Sequence, residues 1–392
     1  MQRVALAFAI LLVASIGACT FLLPDRYVMN APIFRSLIGV DPPAPAVIQS
    51  RLVVPEGFSI GQYASGISNA RFMHFTETGD VLVSQPRAGQ VALVERDADG
   101  DGRADAVRVL IGELNRPHGL ELHGGWLYIA EMDAIGRVRF DPATRAVEGE
   151  FERIVTGLPS GGNHRTRTIG FGPDGWLYVS VGSSCNVCWE EDSRRAAILR
   201  YRSDGSGEEL YATGLRNAVG FDWRPATGEL FATDNGRDLL GDDFPPCELN
   251  VIEGGGFYGW PVANGARIPD PDLGAGNESR IGASIPPVHS FRAHTAPLGI
   301  TFLQGESTPP SLAGAALVAL HGSWNRTEKD GYEVVSLHWG PDGSISEREF
   351  LTGFEVDEDV IGRPVDVAQG PDGAIYVSDD FAGVIYRVAF DG

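Results

Sequence analysis

Lysine is almost missing from this chain. Lys329 is the only one, so nearly all positive charge sits on guanidinium groups, which hold carboxylates in fixed bidentate geometry better than a mobile ammonium does. Basic charge of either kind is scarce: 31 lysines and arginines stand against 52 aspartates and glutamates, for a net charge of −21. A general nucleic-acid binder needs a basic face for its phosphate contacts, so nucleic acid is not an expected partner. Long stretches of 3.6-residue apolar periodicity are also few, which argues against a helical bundle. No Walker loop and no Gly-x-Ser-x-Gly elbow occurs, so phosphoryl transfer and the hydrolase triad lack their signatures. Gly254 to Gly259 matches Gly-x-Gly-x-x-Gly by letter, but Trp260-Pro261 follows where a phosphate-binding helix should start, so nicotinamide binding lacks its signature too. What the chain does have is 392 residues, 43% of them hydrophobic, enough to bury a substantial core. Its fifty glycines and twenty-five prolines predict short strands joined by tight turns.

The N-terminus is a separate object. Val4 to Leu23 carries no charge and follows Arg3, which suits a membrane anchor and also a signal sequence. Ile16-Gly17-Ala18-Cys19 fits a lipobox, with lipidation at Cys19, yet Phe21-Leu22-Leu23 continues the apolar run beyond it. All three readings lead to an extracytoplasmic, periplasmic location, with the membrane reached through this segment. Residues 1–24 are therefore expected to be signal or anchor, residues 25–50 a proline-containing linker, and residues 51–392 the functional body.

From Arg51 onward a turn followed by an apolar strand recurs. Gly79-Asp80-Val81-Leu82-Val83-Ser84, Gly125 to Ala130 and Gly175 to Ser180 are three copies, and Gly228 to Thr233, Gly314 to Ala319 and Gly373 to Ser378 are three more. This predicts an all-β, six-bladed β-propeller with four-stranded antiparallel blades. The last unit runs out after its third strand, Gly383 to Phe390, and Phe58 to Tyr63 is placed to supply the fourth and close the ring. Antiparallel order puts the connections between blades on the same face as the loops after each second strand. That face receives Asn69, Arg71, His118, His164, Arg165, Arg216, Asn217, His294 and Arg363, together with loops 183–188, 234–243 and 321–326. Any one of these polar residues serves equally well to satisfy loop backbone. Gathered at one mouth of the channel, they are what a small-molecule site requires.

Two further motifs bear on metal and redox chemistry. Asp97, Asp99, Asp101 and Asp105 alternate around Gly100 and Gly102 as in the first nine positions of an EF-hand loop, but position twelve is Arg108 instead of glutamate. A structural calcium site and a metal-free acidic hairpin fit this loop equally. Cys185-Asn186-Val187-Cys188 has no second half for zinc and no following histidine for haem. In an oxidising compartment it reads as a local disulfide, with Cys247 free or the alternative partner.

Several ordered pieces then carry a resemblance. Gly162-Asn163-His164-Arg165 leads into Ile169-Gly170-Phe171-Gly172-Pro173-Asp174-Gly175; Gly214-Leu215-Arg216-Asn217, Asp234-Asn235-Gly236-Arg237, Glu248-Leu249-Asn250 and Gly255-Gly256-Phe257-Tyr258-Gly259-Trp260-Pro261 follow. Over essentially all of residues 51 to 392 the chain resembles the pyrroloquinoline quinone (PQQ)-dependent sugar dehydrogenases, of the soluble glucose, aldose and L-sorbosone dehydrogenase type. The resemblance implies a six-bladed propeller, as the repeats do, and two cofactors, PQQ and calcium. It implies that His164 is the general base while hydride passes from the sugar to the quinone. It further implies that Arg216, Asn217 and Arg363 hold PQQ, and that the backbone carbonyls of Gly236 and Arg237 help to hold calcium. Three cofactor carboxylates in an acidic protein need local guanidinium groups, which fits. The chain departs from the pattern at Pro117-His118, where glucose dehydrogenases have a glutamine, and it has no counterpart of their cofactor lysine. His321-Gly322-Ser323-Trp324-Asn325-Arg326 fills that region and is similar to the sorbosone-type branch, which makes Arg326 a candidate carboxylate ligand and Trp324 a candidate platform for sugar or quinone.

The first functional expectation is therefore an oxidoreductase acting on an aldose or sorbosone-like sugar and passing electrons to a respiratory acceptor, a cytochrome or a quinone. A non-catalytic binding propeller is the second. A calcium-dependent lactonase, which needs several carboxylates converging on the channel and finds mainly Asp234, is the third.

Overall fold

The computed structural model describes residues 28–30, 32, 40–305 and 308–392. The apolar segment, the lipobox at Cys19 and part of the expected linker lie outside the described residues. Among those described, no helix is long and apolar enough to cross a membrane. The linker's end is a short helix, Pro45–Arg51, with proline in its first turn and Leu52 extended beyond it. Ile48 on this helix is buried and belongs to the same apolar cluster as Phe350, Phe354 and Val384.

Six sheets, each built on four antiparallel strands, form the ring, and one of them carries a fifth strand at its edge. Each sequence repeat becomes the second strand of a blade: Val81–Gln85, Trp126–Ala130, Leu177–Val181, Leu230–Asp234, Ala316–Leu320 and Ile375–Asp379. Flanked on both sides within its sheet and covered on both faces, this strand has no solvent side, so it opens as an apolar run, and polar residues near its end such as Ser84, Asp234 and Asp379 are buried too. In the third blade the four strands are Ile169–Phe171, Leu177–Val181, Ala197–Tyr201 and Glu209–Thr213. Burial falls off outward: Leu177–Val181 is wholly buried, whereas Glu209 and Leu210 are exposed.

The ring closes as expected. Phe58–Ser65 pairs antiparallel with Val384–Phe390, with Phe58 opposite Phe390 and Ser65 opposite Val384, so N- and C-terminal strands share the sixth blade. In the fourth blade the outer strand is His289–Ala293, which pairs with Pro246–Ile252 after an excursion through residues 253–288. Within that excursion, Gly256–Phe257 adds a parallel edge strand to the third blade.

The innermost strands pack backbone to backbone around the axis. Phe72, Val219, Leu298 and Val365, from four blades, form a buried apolar plug there. Gly220 packs so closely that a Cβ would run into the Leu298 carbonyl oxygen and crowd the Gly299 Cα at 3.0 Å. Because the obstructing atoms are backbone, Gly220→Ala is expected to cost about 1–3 kcal/mol. A urea unfolding curve should show a lower midpoint at unchanged slope; an unchanged midpoint would contradict the close approach.

Candidate active site

Loops entering the first strands and loops leaving the second strands meet at one mouth of the ring. They enclose a cavity of about 320 Å³, lined by Arg71, Asn163, His164, Arg165, Arg216, Asn217, Asn235, Gly236, Asp238, His294, His321 and Trp324.

His164 is fixed by its outer ring nitrogen. Nδ1 lies 2.9 Å from the Ser183 carbonyl oxygen and 2.8 Å from Ser183 Oγ. A carbonyl only accepts, so Nδ1 carries the proton and Nε2, without a partner among the described residues, keeps its lone pair for the cavity. Burial lowers the pKa of His164 to about 3, and the neighbouring Arg216, Arg195 and Arg167 push the same way. Two glycines allow the close packing around the imidazole. Gly162 has φ +83° and a Cβ there would strike the Ser184 carbonyl oxygen, while a Cβ on Gly182 would sit 2.6 Å from His164 Cβ and 2.7 Å from Asn217 Oδ1.

Arg216 is 4% exposed and has every N–H engaged. Nε donates to the Asn186 carbonyl (3.0 Å), Nη1 to the carbonyls of Asn235 (3.1 Å) and Gly236 (2.8 Å), and Nη2 to Asn186 Oδ1 (2.8 Å) and Asp238 Oδ2 (2.7 Å). What it offers the cavity is its charge and planar face, not its donors. The backbone N–H groups of Arg216 and Asn217 donate to the two oxygens of Asp234, at 2.9 and 2.6 Å. Burial pushes the carboxyl pKa values of Asp234 and its neighbour Glu248 upward. Asp234 is thus a backbone cap. The lactonase reading finds no converging carboxylates at this mouth among the described residues.

Several expected site residues point elsewhere. Arg363 donates to the carbonyls of His321 (3.0 Å) and Gly322 (2.9 Å) and lines an adjacent cleft with Asn69 and Asp380; that cleft shares His321 with the main cavity. Arg326 donates to the carbonyls of Asp242 (2.6 Å) and Ala293 (3.3 Å), which ties two loops together and takes it out of the cavity wall. The Arg237 side chain is clamped by Asp270 (2.7 Å) and Asp272 (2.7 Å), leaving only its backbone near the mouth, and the Gly236 carbonyl is shared with Arg216. His118 is buried behind Arg71, with Nε2 3.5 Å from Arg71 Nη2 and its ring on Phe72. Trp324 does line the cavity.

The acidic loop forms a turn at the far end of the first blade's outer strands. Asp97, Asp99 and Asp101 place carboxylate oxygens within 4.8 Å of one another. Asp97 accepts from the backbone of Gly100, Asp101 and Gly102, and Asp105 from that of Ala98, so local bonds shape the loop. Cys185 and Cys188 form the disulfide, and Cys247 is a buried free thiol at the cavity wall, its pKa pushed up to about 11 by burial.

One participant, Asp380, was not singled out by motif. Asp380 accepts from His321 Nε2 (2.9 Å), Arg71 Nη1 (3.0 Å) and Asn69 Nδ2 (3.3 Å). Asn235 Oδ1 and His294 Nδ1 are buried at the cavity wall without a partner. The signal for Asp380 is its place just past a repeated second strand, the same place that His321 and Asn235 occupy in their blades.

Ring and mouth together define a class: a six-bladed propeller with a guanidinium- and imidazole-lined small-molecule site on its axis. The chain belongs to the TrAA12-like family, whose family model matches residues 52–245 and 276–390, and so to the PQQ-dependent sugar dehydrogenases that its sequence resembles. It is similar to an uncharacterized protein of Borreliella burgdorferi, 30% identical over 88% of this chain and 92% of that protein. It is also 25% identical, over 86% of its length, to the pyrroloquinoline quinone-dependent pyranose dehydrogenase of Coprinopsis cinerea, of which it spans only 54%. Among solved structures, a calcium structure of the Trichoderma reesei family AA12 enzyme has the same fold, with a TM-score of 0.76, 23% identity, and coverage of 90% of this chain and 99% of that one.

Proposed function

We propose that the protein oxidises a sugar at a CH–OH group, with PQQ seated in the cavity beside His164. The observation that carries this reading is His164 itself: a neutral imidazole held through Nδ1, with a free Nε2 aimed at a cavity that also receives Arg71, Arg165 and Arg216. The donor set fits a flat, carboxylated ring. Guanidinium charge is concentrated there in an otherwise acidic protein, and Asn235 Oδ1 and His294 Nδ1 stand unpartnered at the wall.

When bound, PQQ supplies the acceptor for hydride, and calcium polarises the carbonyl that receives it. The chain's residues do the rest. His164 Nε2 takes the proton of the substrate hydroxyl, and Ser183 holds the tautomer that makes this possible. Arg71 and Arg165 orient carboxylates, Arg216 adds its charge and planar face, Asn163 and Asn217 offer amides, and Trp324 offers an apolar face to a pyranose ring. The carbonyls of Gly236 and Arg237 are the proposed calcium ligands. An aldose or sorbosone-like sugar as substrate, a respiratory cytochrome or quinone as acceptor, and a periplasmic, membrane-anchored location complete the reading; the Cys185–Cys188 disulfide supports an oxidising compartment.

Titrating the purified protein with PQQ, with and without a calcium chelator, and following dye reduction with a sugar panel tests the proposal. The expected result is saturable PQQ binding and sugar-dependent reduction that requires PQQ and falls with the chelator. Dye reduction by no sugar, despite bound PQQ, would remove the oxidoreductase reading.

A further inference from the structure

Asn186 stands outside the cavity wall yet makes more contacts to the site's charged centre than any residue lining it. Its carbonyl oxygen accepts from Arg216 Nε (3.0 Å) and from Trp260 Nε1 (3.4 Å). Its side-chain oxygen accepts from Arg216 Nη2 (2.8 Å) and the Asp238 backbone N–H (2.8 Å), while its Nδ2 donates to the Asp238 carbonyl (3.0 Å). The amide orientation is unambiguous, because donors face Oδ1 and a carbonyl faces Nδ2. Asn186 therefore joins the loop after the third blade's second strand to the equivalent loop of the fourth blade, with the Arg216 guanidinium clamped between them.

The loop that carries Asn186 is itself closed. Cys185 and Cys188 are bridged, with Cα atoms 6.2 Å apart and Asn186 within the bridge. At its start, Ser183 Oγ donates to the Cys185 carbonyl (2.8 Å) while also meeting His164 Nδ1, and Ser184 is tied down through N–H and Oγ by the Glu190 carboxylate (2.6 and 2.7 Å). One covalently closed loop thus sets the base at one end and the arginine at its apex.

We propose that Asn186, held by the Cys185–Cys188 disulfide, is the positioning residue that fixes the Arg216 guanidinium against the cavity for the anionic cofactor. The proposal rests on the PQQ reading for its ligand but not for its geometry, and the test separates the two. In the protein without PQQ, proton exchange at the Arg216 Nη2 protons, one of which Asn186 Oδ1 accepts, is followed by NMR with 15N-labelled arginine, the signals being assigned by their disappearance in Arg216→Lys. In Asn186→Ala this exchange is expected to accelerate at least about tenfold, the scale of one lost hydrogen bond to a charged group. Other buried arginines, such as Arg167, should remain protected, which a merely destabilised fold would not allow. Asn186→Asp restores an acceptor for Nη2 and should slow the exchange again. Cys185→Ser/Cys188→Ser keeps Asn186 but opens its loop, and should shift the exchange in the same direction by less. PQQ affinity, measured by absorbance titration, should weaken about tenfold in Asn186→Ala. Unchanged Arg216 exchange in Asn186→Ala, or in the double serine variant should the alanine variant not fold, overturns the positioning role. Wild-type protein that fails to bind PQQ sinks the cofactor reading alone, and the exchange data still decide the geometry.

Discussion

Replacing His164 with alanine is expected to reduce kcat about 10²- to 10⁴-fold, the range of a positioned general base, while PQQ affinity stays within a few-fold of the wild type. The separation follows from what each group touches. His164 spends Nδ1 on Ser183 and has only Nε2 to offer, whereas the charge that attracts an anion comes from guanidinium groups that do not depend on the imidazole. The protonation state agrees. Burial, reinforced by Arg216, Arg195 and Arg167, lowers the pKa of His164 to about 3, so the ring is deprotonated and ready to accept a proton at any pH near neutrality. An imidazole held that low is a weak base, but an anion brought against the same arginines offsets the charge that depresses it. Steady-state dye reduction and a PQQ absorbance titration on the same variant check the prediction. A His164→Ala enzyme within tenfold of wild-type kcat would exclude the base, and one that cannot bind PQQ would make the residue a cofactor ligand instead.

The ring was open to reading because its second strands are buried on both faces and open on apolar residues, so Val81–Gln85 and its five counterparts stand out as recurrent apolar stretches behind a glycine turn. Closure by Phe58–Ser65 was legible for a related reason: a blade with three strands needs a fourth, and one unassigned strand remained. The outer strand of the fourth blade was not legible, because 36 residues (253–288) with short strands and a helix of their own separate it from its neighbour. In the site, sequence order gave which loops reach the mouth but not where long side chains turn. In an acidic protein a guanidinium finds carboxylates or carbonyls wherever the fold brings them. Asp270 and Asp272 claim Arg237, and the Asp242 and Ala293 carbonyls claim Arg326, across sequence distances that no local motif encodes. Asn186 was hidden for the same reason, since its partners lie in another blade.

The second large effect is expected at Asp380, where charge and fold are joined. Asp380 and Arg71 each have side chains 12% exposed, and His321 15%, so the group is screened little by water. Burial alone would raise the pKa of Asp380, but His321, Arg71 and Arg363 outweigh it and hold the carboxyl well below its usual range. His321 is itself lowered to about 4, by burial first and then by Arg363, so near neutral pH it is an uncharged donor through Nε2 and the arginines supply the compensating charge. Asp380→Asn keeps the shape but leaves Arg71 buried without a counter-charge, a change that costs about 3–5 kcal/mol when one partner of a buried pair is removed. The pH dependence has a definite sign. A carboxylate whose folded pKa is depressed contributes stability above its unfolded value of about 3.9 and loses it as pH falls toward the folded value. The gap between wild type and Asp380→Asn should therefore be full at pH 7, begin to close below about pH 4 and narrow further with acid. Urea is the denaturant to use, because guanidinium chloride would screen the ion pair under test. Because His321 and Arg71 also line the His164 cavity, the variant should bind PQQ more weakly even at temperatures where it is fully folded. A penalty under about 1 kcal/mol at pH 7, the size of an exposed pair, would mean that water reaches this carboxylate and that the wall it supports is looser than its burial indicates.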